Sequence, residues 1–422
     1  LSDEPFMKNL PFITDAKVRI GYGATGNNRV GDFSYLSSMN FVNNNYSFGD
    51  ATPSVGAIAN ALGNGDLKWE TTRQTNLGVD LSFFDNRISL TADVYSKTTS
   101  DLLLKASMPI TTGYTTAFKN IGRVSNKGLE LTLNTVNITG RRFSWSSSFN
   151  ISFNRNKVLS LTQNQEALTT TLNSVTTPYY IAKVGQPIAM FYGVVFDGLY
   201  QFDDFNVTSD GTYVLKDDKP SSSTASNRNS IKPGYMKFRD LNHDGIINNY
   251  DFTIIGDPNP DFIGGFSNNF GYRGFDLNLF FQFSYGGQVY NGNRVNMEEG
   301  RFPYTNQFAS YADRWTPTHT NTNIPRVLGS VTNYNTSRVI EDGSFLRFKT
   351  VSLGYQVPSS LLQRVRVKSL RIYVTAQNLF TLTSYSGVDP EVSVRNSALT
   401  PAYDYSPYPR AVTYVAGVSV NF

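Results

Sequence analysis

Strict two-residue alternation of apolar and polar side chains is the feature that most constrains how this chain folds. The clearest example is residues 76–83, with the sequence Asn-Leu-Gly-Val-Asp-Leu-Ser-Phe. Similar alternation recurs at residues 87–95, 129–134, 145–154, 277–283, 370–377 and 412–422. Because successive side chains of a strand point to opposite faces of a sheet, this period predicts half-buried β-strands.

Short and long connections alternate between these segments. We predict strands that begin near residues 17, 71, 87, 122, 143, 262, 275, 344, 369 and 411. Tight turns at 85–86, 139–142 and 273–274 alternate with long stretches at about 28–70, 105–121, 162–261, 292–343 and 383–410. A soluble β-sandwich also alternates, but short turns at one end and long loops at the other are typical of outer-membrane barrels. We therefore predict an all-β fold, a transmembrane antiparallel β-barrel whose C-terminus lies at the short-turn end.

Composition is compatible with this fold and excludes several other classes of protein. Aromatic residues make up 14% of the 422 residues and charged residues only 17%, as expected for amphipathic strands with aromatic girdles. No apolar run approaches the roughly 18 residues of a membrane helix, so a membrane-spanning form has to be a barrel. The absence of cysteine excludes disulfides and thiolate metal sites, and the net charge of +4 predicts no nucleic-acid partner. On composition alone, a large secreted all-β domain remains the alternative.

Several motifs, in a fixed order along the chain, carry a resemblance to one family. They are Val18–Asn27, Asp66–Thr72, Asn76–Asp80, Gly256–Pro260, Tyr272–Leu277, Phe345–Phe348, Leu353–Tyr355 and Ala376–Phe380. Their order extends over nearly the whole chain, from Val18 to the terminal Phe422, and the chain resembles the SusC/RagA-type TonB-linked outer-membrane transporters of Bacteroidetes. The resemblance implies a bacterial outer-membrane location and a large barrel closed around a plug domain.

The resemblance concerns only the C-terminal part of such a transporter. Plugged barrels of this class have about 22 strands, so about ten strands over residues 1–422 cannot close one. A sheet of ten lipid-facing strands would also leave unpaired edges in hydrocarbon. We therefore expect the plug, the segment that engages TonB and the N-terminal strands to lie in another chain or fragment.

The resemblance also implies a function and partners. It implies TonB-dependent import of a nutrient, a glycan or a peptide, with a SusD-like surface lipoprotein over the extracellular loops and no enzymatic activity. A siderophore-type ligand is the alternative cargo. The alternative of a different class is a secreted calcium-binding adhesin or a glycan hydrolase, although we find no pair of carboxylates that a hydrolase would need.

One segment has the spacing of a calcium-binding loop. In residues 240–251, oxygen ligands stand at positions 1, 3 and 5, a glycine at position 6 and a carboxylate at position 12. The predicted ligands of a structural Ca²⁺ are Asp240, Asn242, Asp244, the carbonyl of Ile246, Asn248 (directly or through water) and Asp251. Position 12 is Asp instead of Glu, which resembles the short-armed loops of dockerins and of this transporter family. The alternative is a series of polar turns without a metal ion.

The remaining candidates have simpler interpretations. We interpret His243 as solvated and His319 as a loop residue, and neither as a metal ligand or catalytic base. The glycines of Gly21–Gly26 are interpreted as a strand end, because no amphipathic helix follows to bind a pyrophosphate. Seven loop aromatics are candidates for ligand contact, for packing between loops or for the membrane interface: Tyr179, Tyr180, Phe191, Tyr192, Tyr403, Tyr405 and Tyr408.

Overall fold

The computed structural model describes most of the chain beyond its first eleven residues. It covers residues 12–422 apart from 29–32, 34, 42–44, 48, 50–52, 108–109, 115, 121, 162–164, 173–176, 222–227, 301–303, 328–334, 363–366 and 396. Each of the five predicted loops therefore includes some positions outside the described residues. No helix in the described part of the chain combines the length and the apolar character needed to cross a membrane.

Strands dominate the described residues, with two short helices, α1 (Gly292–Met297) and α2 (Ser359–Leu362). The strands are β1 (Ile13–Asn27), β2 (Ser38–Asn40), β3 (Asn45–Tyr46), β4 (Ser54–Val55), β5 (Ile58–Ala61), β6 (Glu70–Phe83), β7 (Ile88–Ser100), β8 (Leu103–Ser107), β9 (Thr116–Asn120), β10 (Arg123–Thr139), β11 (Phe143–Ser160), β12 (Ala167–Thr171), β13 (Pro178–Lys183), β14 (Met190–Gly193), β15 (Phe196–Leu199), β16 (Phe205–Val207), β17 (Tyr213–Leu215), β18 (Met236–Phe238), β19 (Thr253–Gly256), β20 (Phe262–Tyr272), β21 (Phe275–Tyr285), β22 (Gln288–Asn291), β23 (Ile340–Asp342), β24 (Phe345–Gln356), β25 (Ser369–Thr383), β26 (Tyr403–Asp404) and β27 (Thr413–Asn421).

The ten long strands form one antiparallel sheet. Their order is β1-β6-β7-β10-β11-β20-β21-β24-β25-β27, so each strand pairs with its neighbours along the chain among the long strands. The predicted starts agree with the observed ones to within four residues, the largest difference being at β1, which begins at Ile13 rather than near 17. The predicted sheet of ten antiparallel strands is therefore confirmed.

The two faces of this sheet differ in polarity, as the alternation predicts. Leu77 pairs with Val94, Val94 with Leu129 and Leu129 with Phe153, which places these side chains on one side that we call the apolar face. The opposite side, the polar face, carries Arg19, whose guanidinium forms ion pairs of 2.7 and 3.0 Å with Asp80 and Asp93. Since Val94 is 53% exposed, the described residues form no protein layer over this part of the apolar face. Such a face suits lipid.

Four short connections lie at one end of the sheet, at 84–87, 140–142, 273–274 and 357–368. The turn between β20 and β21 consists of two residues, Arg273 and Gly274, with φ of +46° and +87°. Two consecutive positive φ values match the two-residue hairpin turn whose twist fits the flanking strands, and glycine adopts them at little cost. The short α2 lies in the fourth connection, where the sequence indicates one helical turn.

Five long connections lie at the other end, at 28–69, 101–122, 161–261, 286–344 and 384–412. The last three fold together, and we call them the loop assembly. Their shared hydrophobic core includes Phe191 from the first, Tyr290 and Val339 from the second and Tyr403 from the third. Tyr290 and Tyr403 also belong to a parallel strand pair, β22 with β26. The described residues of these three connections, which span almost half the chain, therefore form one packed structure rather than independent loops.

Candidate functional site

The predicted calcium loop lies between β18 and β19, inside the loop assembly. Gly245 adopts φ +81°, a backbone conformation that favours glycine, and the chain turns sharply there. Two backbone hydrogen bonds of 2.9 Å, Ser221 N–H to the Gly245 carbonyl and Ile247 N–H to the Ser221 carbonyl, anchor the loop. Because Ile247 is fully buried, the loop has a fixed position on the assembly.

Backbone amides hold the carboxylates at both ends of this loop. Asp240 accepts hydrogen bonds from the N–H groups of His243 and Gly245, at 2.7 and 2.8 Å. Asp251, which is fully buried, accepts from Leu241 and Asn248, at 2.9 and 2.8 Å. Each carboxylate oxygen retains a further lone pair. The two end positions are therefore fixed by the backbone itself, with the charge of Asp251 buried.

The middle of the loop provides the other predicted ligand groups. The Ile246 N–H and the Asn242 side chain donate to the Asp244 carboxylate and lower its pKa, so this group is ionised at neutral pH. The Ile246 carbonyl accepts from the Asn248 side chain at 3.4 Å. The donor set consists of carboxylate, amide and carbonyl oxygens, which suits a hard cation. Within the described residues, however, no three acidic or histidine side chains lie close enough together to hold a metal ion.

The two histidines lie where the sequence places them, at the surface. His243 is exposed within the loop at φ +61°. His319 is 46% exposed at its side chain and lies 2.8 Å from the carboxylate of Asp313 in a tight turn. Gly21, Gly23 and Gly26 all lie within β1, as a strand end and not as a phosphate-binding turn.

The loop aromatics divide into core and surface residues. Tyr180, Phe191 and Tyr403 are buried, and the rings of Tyr180 and Phe191 are 5.2 Å apart. Tyr179 packs edge-on against Tyr290, while Tyr192 packs in the same manner on Phe252. By contrast, Tyr405 and Tyr408 are 43% and 93% exposed. The first five residues thus pack within and between the connections. Of the seven, Tyr405, which also stacks on Tyr403, and Tyr408 retain exposed surface for a partner or ligand.

Buried ion pairs, which no local motif of the sequence predicts, lie within the connection 286–344. Arg338 lies 2.7 Å from Glu298 and 3.4 Å from Glu299, and all three side chains are at least 93% buried. Arg294 bridges Glu298 and Glu341, at 2.8 and 3.1 Å. Burial by itself raises the pKa of Glu298, but Arg338 and Arg294 outweigh it and hold that pKa below its ordinary value.

A second charged cluster attaches the connection 384–412 to the sheet. Arg347, on β24, has a side chain only 2% exposed and contacts Asp389 and Glu391. Arg410 bridges the same two carboxylates, at 3.1 and 2.7 Å. The available sequence signal was an arginine within the apolar motif Phe-Leu-Arg-Phe, at a position that alternation assigns to the polar face. The cluster therefore holds part of the loop assembly against the polar face of the sheet.

The polar face itself encloses a concave surface. A cavity of about 490 Å³ is lined by polar residues of β6, β7, β10 and β11, among them Asn76, Asp93, Tyr95 and Glu130. The Tyr95 hydroxyl donates to Asn154 across the neighbouring strand at 3.0 Å. A wall of alternating donors and acceptors suits water, polar solutes or another polar protein surface.

Comparison with known proteins agrees with this architecture. A family model described as TonB dependent receptor-like, beta-barrel matches residues 12–257. TonB-dependent receptor P3 of Formosa agariphila is 36% identical over the entire chain, which covers 41% of that protein. TonB-dependent receptor SusC of Bacteroides thetaiotaomicron is 29% identical, again over the entire chain, which covers 39% of it. The chain thus spans about two fifths of the length of the curated relatives that it matches.

Solved structures have the same fold. A chain of the RagAB peptide transporter superposes with a TM-score of 0.74 at 24% identity, over 99% of this chain and 42% of that chain. The RagAB peptide importer in the closed-closed state gives a TM-score of 0.75 at 25% identity, with the same coverage. The predicted outer-membrane β-barrel is therefore confirmed, in place of the secreted alternative, within a group of receptors and transporters rather than enzymes. Since the family model matches more than half of the residues, the chain belongs to the TonB-dependent receptor β-barrel family.

Proposed function

We propose that this chain forms the C-terminal barrel wall of a transporter that imports a nutrient, a glycan or a peptide, across the outer membrane. The observation that carries the proposal is the sheet with one lipid-compatible face and one hydrogen-bonding face, topped by a folded loop assembly. The polar face, with its cavity of about 490 Å³, would line the path of the cargo or contact the plug. TonB would supply energy through the plug, which with the N-terminal strands we place outside residues 1–422.

The cargo is a glycan or a peptide rather than a siderophore in this proposal. The solved relatives are named a peptide transporter and a peptide importer, which supports a peptide. The glycan alternative comes from the resemblance to the SusC/RagA-type transporters. Uptake of labelled oligosaccharides and oligopeptides by cells with and without the full-length transporter tests this. Loss of uptake on deleting either the transporter or TonB is expected, and unchanged uptake of both cargo classes with impaired iron acquisition would favour the siderophore alternative.

The proposed partner is a SusD-like surface lipoprotein seated on the loop assembly. Support comes from the packing of three long connections into one body and from Tyr405 and Tyr408, which are exposed on it. Exposed aromatic residues are common in protein interfaces. A permanent complex of this kind buries upwards of about 2,000 Å². The lipoprotein should co-purify with the full-length transporter in mild detergent.

Point variants test this binding position better than loop deletions, because the three connections share a hydrophobic core and a deletion in one would disturb the others. Tyr408→Ala combined with Tyr405→Ala should weaken co-purification of the lipoprotein. Tyr272→Ala is the matched control, since Tyr272 is 51% exposed at the short-turn end. Retention of the lipoprotein by the double variant, or its loss in the control as well, would contradict this binding position.

We also propose that residues 240–251 bind one structural Ca²⁺. Asp240, Asn242, Asp244, the Ile246 carbonyl, Asn248 and Asp251 would hold the ion, with Asn248 binding directly or through water. Support comes from the oxygen donor set, from the ionised Asp244 and from the backbone contacts that hold Asp240 and Asp251. The bound ion would neutralise the buried carboxylate and stabilise this part of the loop assembly.

A further inference from the structure

A second cavity, of about 480 Å³, lies in the loop assembly between residues 202–233 and residues 315–326. We call it the aromatic cavity. Its walls include Phe202, Tyr213, Trp315, Lys232 and Arg326. Its volume lies in the range of sites for small ligands, which are typically apolar with a few polar groups at fixed positions. No local motif of the sequence marks any of these residues.

The aromatic walls are held in place by their surroundings. The ring of Phe202 lies 5.4 Å from that of Trp315 and 5.6 Å from that of Tyr213. Trp315 is 3% exposed, and its indole N–H donates to the Gln201 side chain at 3.1 Å. A Cβ atom at Gly234, whose φ is +85°, would lie 2.5 Å from the Trp315 ring, so glycine is required beneath it. The partly exposed rings of Phe202 and Tyr213 are therefore preformed surfaces of the cavity, and the buried Trp315 supports them.

The charge at the aromatic cavity is positive. Arg326 lies with its guanidinium carbon 6.0 Å from the centre of the Trp315 ring and donates to the Pro233 carbonyl at 3.3 Å. Lys232 lines the same space, whereas no acidic side chain among the described residues does. The ion pairs among the described residues of the loop assembly use other cations, such as Lys219, Arg239, Arg294 and Arg338.

Acidic groups nearby do not cancel this charge inside the cavity. Asp203 follows Phe202 but is exposed and does not line the space. The carboxylate of Asp210 accepts hydrogen bonds from the hydroxyls of Thr208 and Thr212, which hold it in its own turn. Two cations beside three aromatic rings are therefore left facing a single cavity.

We infer that the aromatic cavity binds an anionic sugar unit, a pyranose ring that carries a carboxylate or a sulfate group. The C–H face of a sugar ring packs on aromatic surfaces, and guanidinium and ammonium groups pair with the anionic substituent. The Thr212 hydroxyl lines the cavity and, since it donates to Asp210, can accept a hydrogen bond from a sugar hydroxyl group. This inference rests on the proposed function only for the orientation of the loops towards the cell surface.

A peptide is the competing ligand class, and the site fits it less well. Peptides commonly bind by adding a strand to an open sheet edge. The strand at the cavity, β17, pairs with β16 on one side and contacts the short helical turn Arg228–Ser230 as well. The Arg228 guanidinium also donates to the Lys216 carbonyl, just beyond β17. Strand addition is thus hindered, while ring packing is not.

Calorimetry on the purified full-length transporter, with its co-purifying partners, tests the inference. The probes are trigalacturonate, a sulfated galactan trisaccharide, maltotriose and a tripeptide with a free C-terminal carboxylate. We expect one or both anionic sugars to bind, maltotriose to bind at least tenfold more weakly, and added salt to weaken the anionic sugars. The two anionic probes distinguish carboxylate from sulfate.

Point variants test whether the anionic sugars bind in the aromatic cavity. Arg326→Gln and Lys232→Gln should each weaken anionic-sugar binding by about tenfold or more, since each removes a charged partner. Lys183→Gln, an exposed position on β13, is the matched control and should change nothing. Equal affinity for maltotriose, binding of the tripeptide alone, binding that is insensitive to both variants, or no binding of either anionic probe would overturn the inference. If the transporter binds an anionic sugar but cells do not take up the labelled cargo, only the proposed import is contradicted.

Discussion

The guanidinium of Arg338 lies 2.7 Å from the carboxylate of Glu298, and each side chain is at most 7% exposed. The two residues are 40 positions apart, and this pair joins α1 to the segment that leads into β23. Glu298 also accepts from Arg294 and from the Ser310 hydroxyl, each at 2.8 Å. The pair is thus the centre of a buried network that determines how the connection 286–344 folds.

Removal of one partner of this pair should be strongly destabilising. Arg338→Met leaves Glu298 and Glu299 buried without their strongest counter-charge, and we expect a loss of about 3–5 kcal/mol in the free energy of unfolding. Arg155→Met is the matched control, because the Arg155–Asp261 pair is 65% and 53% exposed and should contribute at most about 1 kcal/mol. Denaturant unfolding of the full-length transporter measures both losses. Equal losses would show that burial is not the cause.

Asp404 should make the loop assembly depend on pH. Burial raises the pKa of Asp404, which accepts hydrogen bonds from the Tyr385 hydroxyl and the Asn293 side chain. A raised pKa in the folded state means that its contribution to stability is complete below the unfolded pKa of about 3.9 and is lost as pH rises through the folded value. Relative to wild type, Asp404→Asn should therefore gain stability as pH rises from about 4 towards neutrality. Thermal unfolding of both proteins over this range measures the gain, and a constant difference would contradict the assignment.

An added charge should cost very different amounts of stability at two adjacent residues of β25. Val374 is 52% exposed on the apolar face, between Leu353 and Ala416 on the neighbouring strands. Thr375 points to the polar face, where its hydroxyl lies 2.9 Å from that of Ser352. Val374→Arg should cost about 2–4 kcal/mol near the bilayer midplane, and Thr375→Arg markedly less. Folding into lipid vesicles measures both costs, and equal costs would contradict the assignment of the two faces.

Local patterns were sufficient to predict the large sheet but not the loop assembly. The period of two is visible within one strand of 11–18 residues, so β10, β11 and β20 could be located from the sequence alone. The strands inside the loop assembly are two to six residues long, such as β22 and β26, and offer too few positions for a period to emerge. They were therefore predicted only as loops.

The charged clusters could not be predicted from the sequence, for a related reason. Arg347 and Asp389 are 42 positions apart, and their contact depends on how the connection 384–412 returns to the sheet. The calcium loop could be proposed from the sequence because its spacing is local, within twelve residues. Burial of Phe191 and Tyr403 depends on packing among three connections, so the sequence allowed ligand contact, packing and the membrane interface alike.

Calcium binding to residues 240–251 should depend on each central carboxylate. Asp240→Ala and Asp244→Ala each remove one oxygen ligand, and we expect binding to weaken beyond the millimolar range because the remaining oxygens under-coordinate the ion. Asp203→Ala is the matched control, since the exposed Asp203 belongs to the same connection and does not line the cavity beside the loop. Calorimetry with Ca²⁺ on chelator-treated transporter measures the three variants. Absence of Ca²⁺ uptake by the wild-type protein at millimolar concentration would remove the site.

Removal of a hydrogen-bond acceptor should cost more stability on the apolar face than on the polar face. The Ser147 hydroxyl and the Trp145 indole N–H donate to the Asn268 side-chain oxygen at 2.7 and 3.0 Å, and Asn268 is only 7% exposed. Asn268→Ala leaves both donors unpaired where lipid replaces water, at a cost of about 1–3 kcal/mol for each donor. Asn134 accepts from Ser148 at the same distance of 2.7 Å, but it is exposed on the polar face, where water can replace it. Asn134→Ala should therefore change the free energy of unfolding in lipid vesicles by less than about 1 kcal/mol, and a loss as large as that of Asn268→Ala would contradict the lipid-facing position of the Ser147–Asn268 pair.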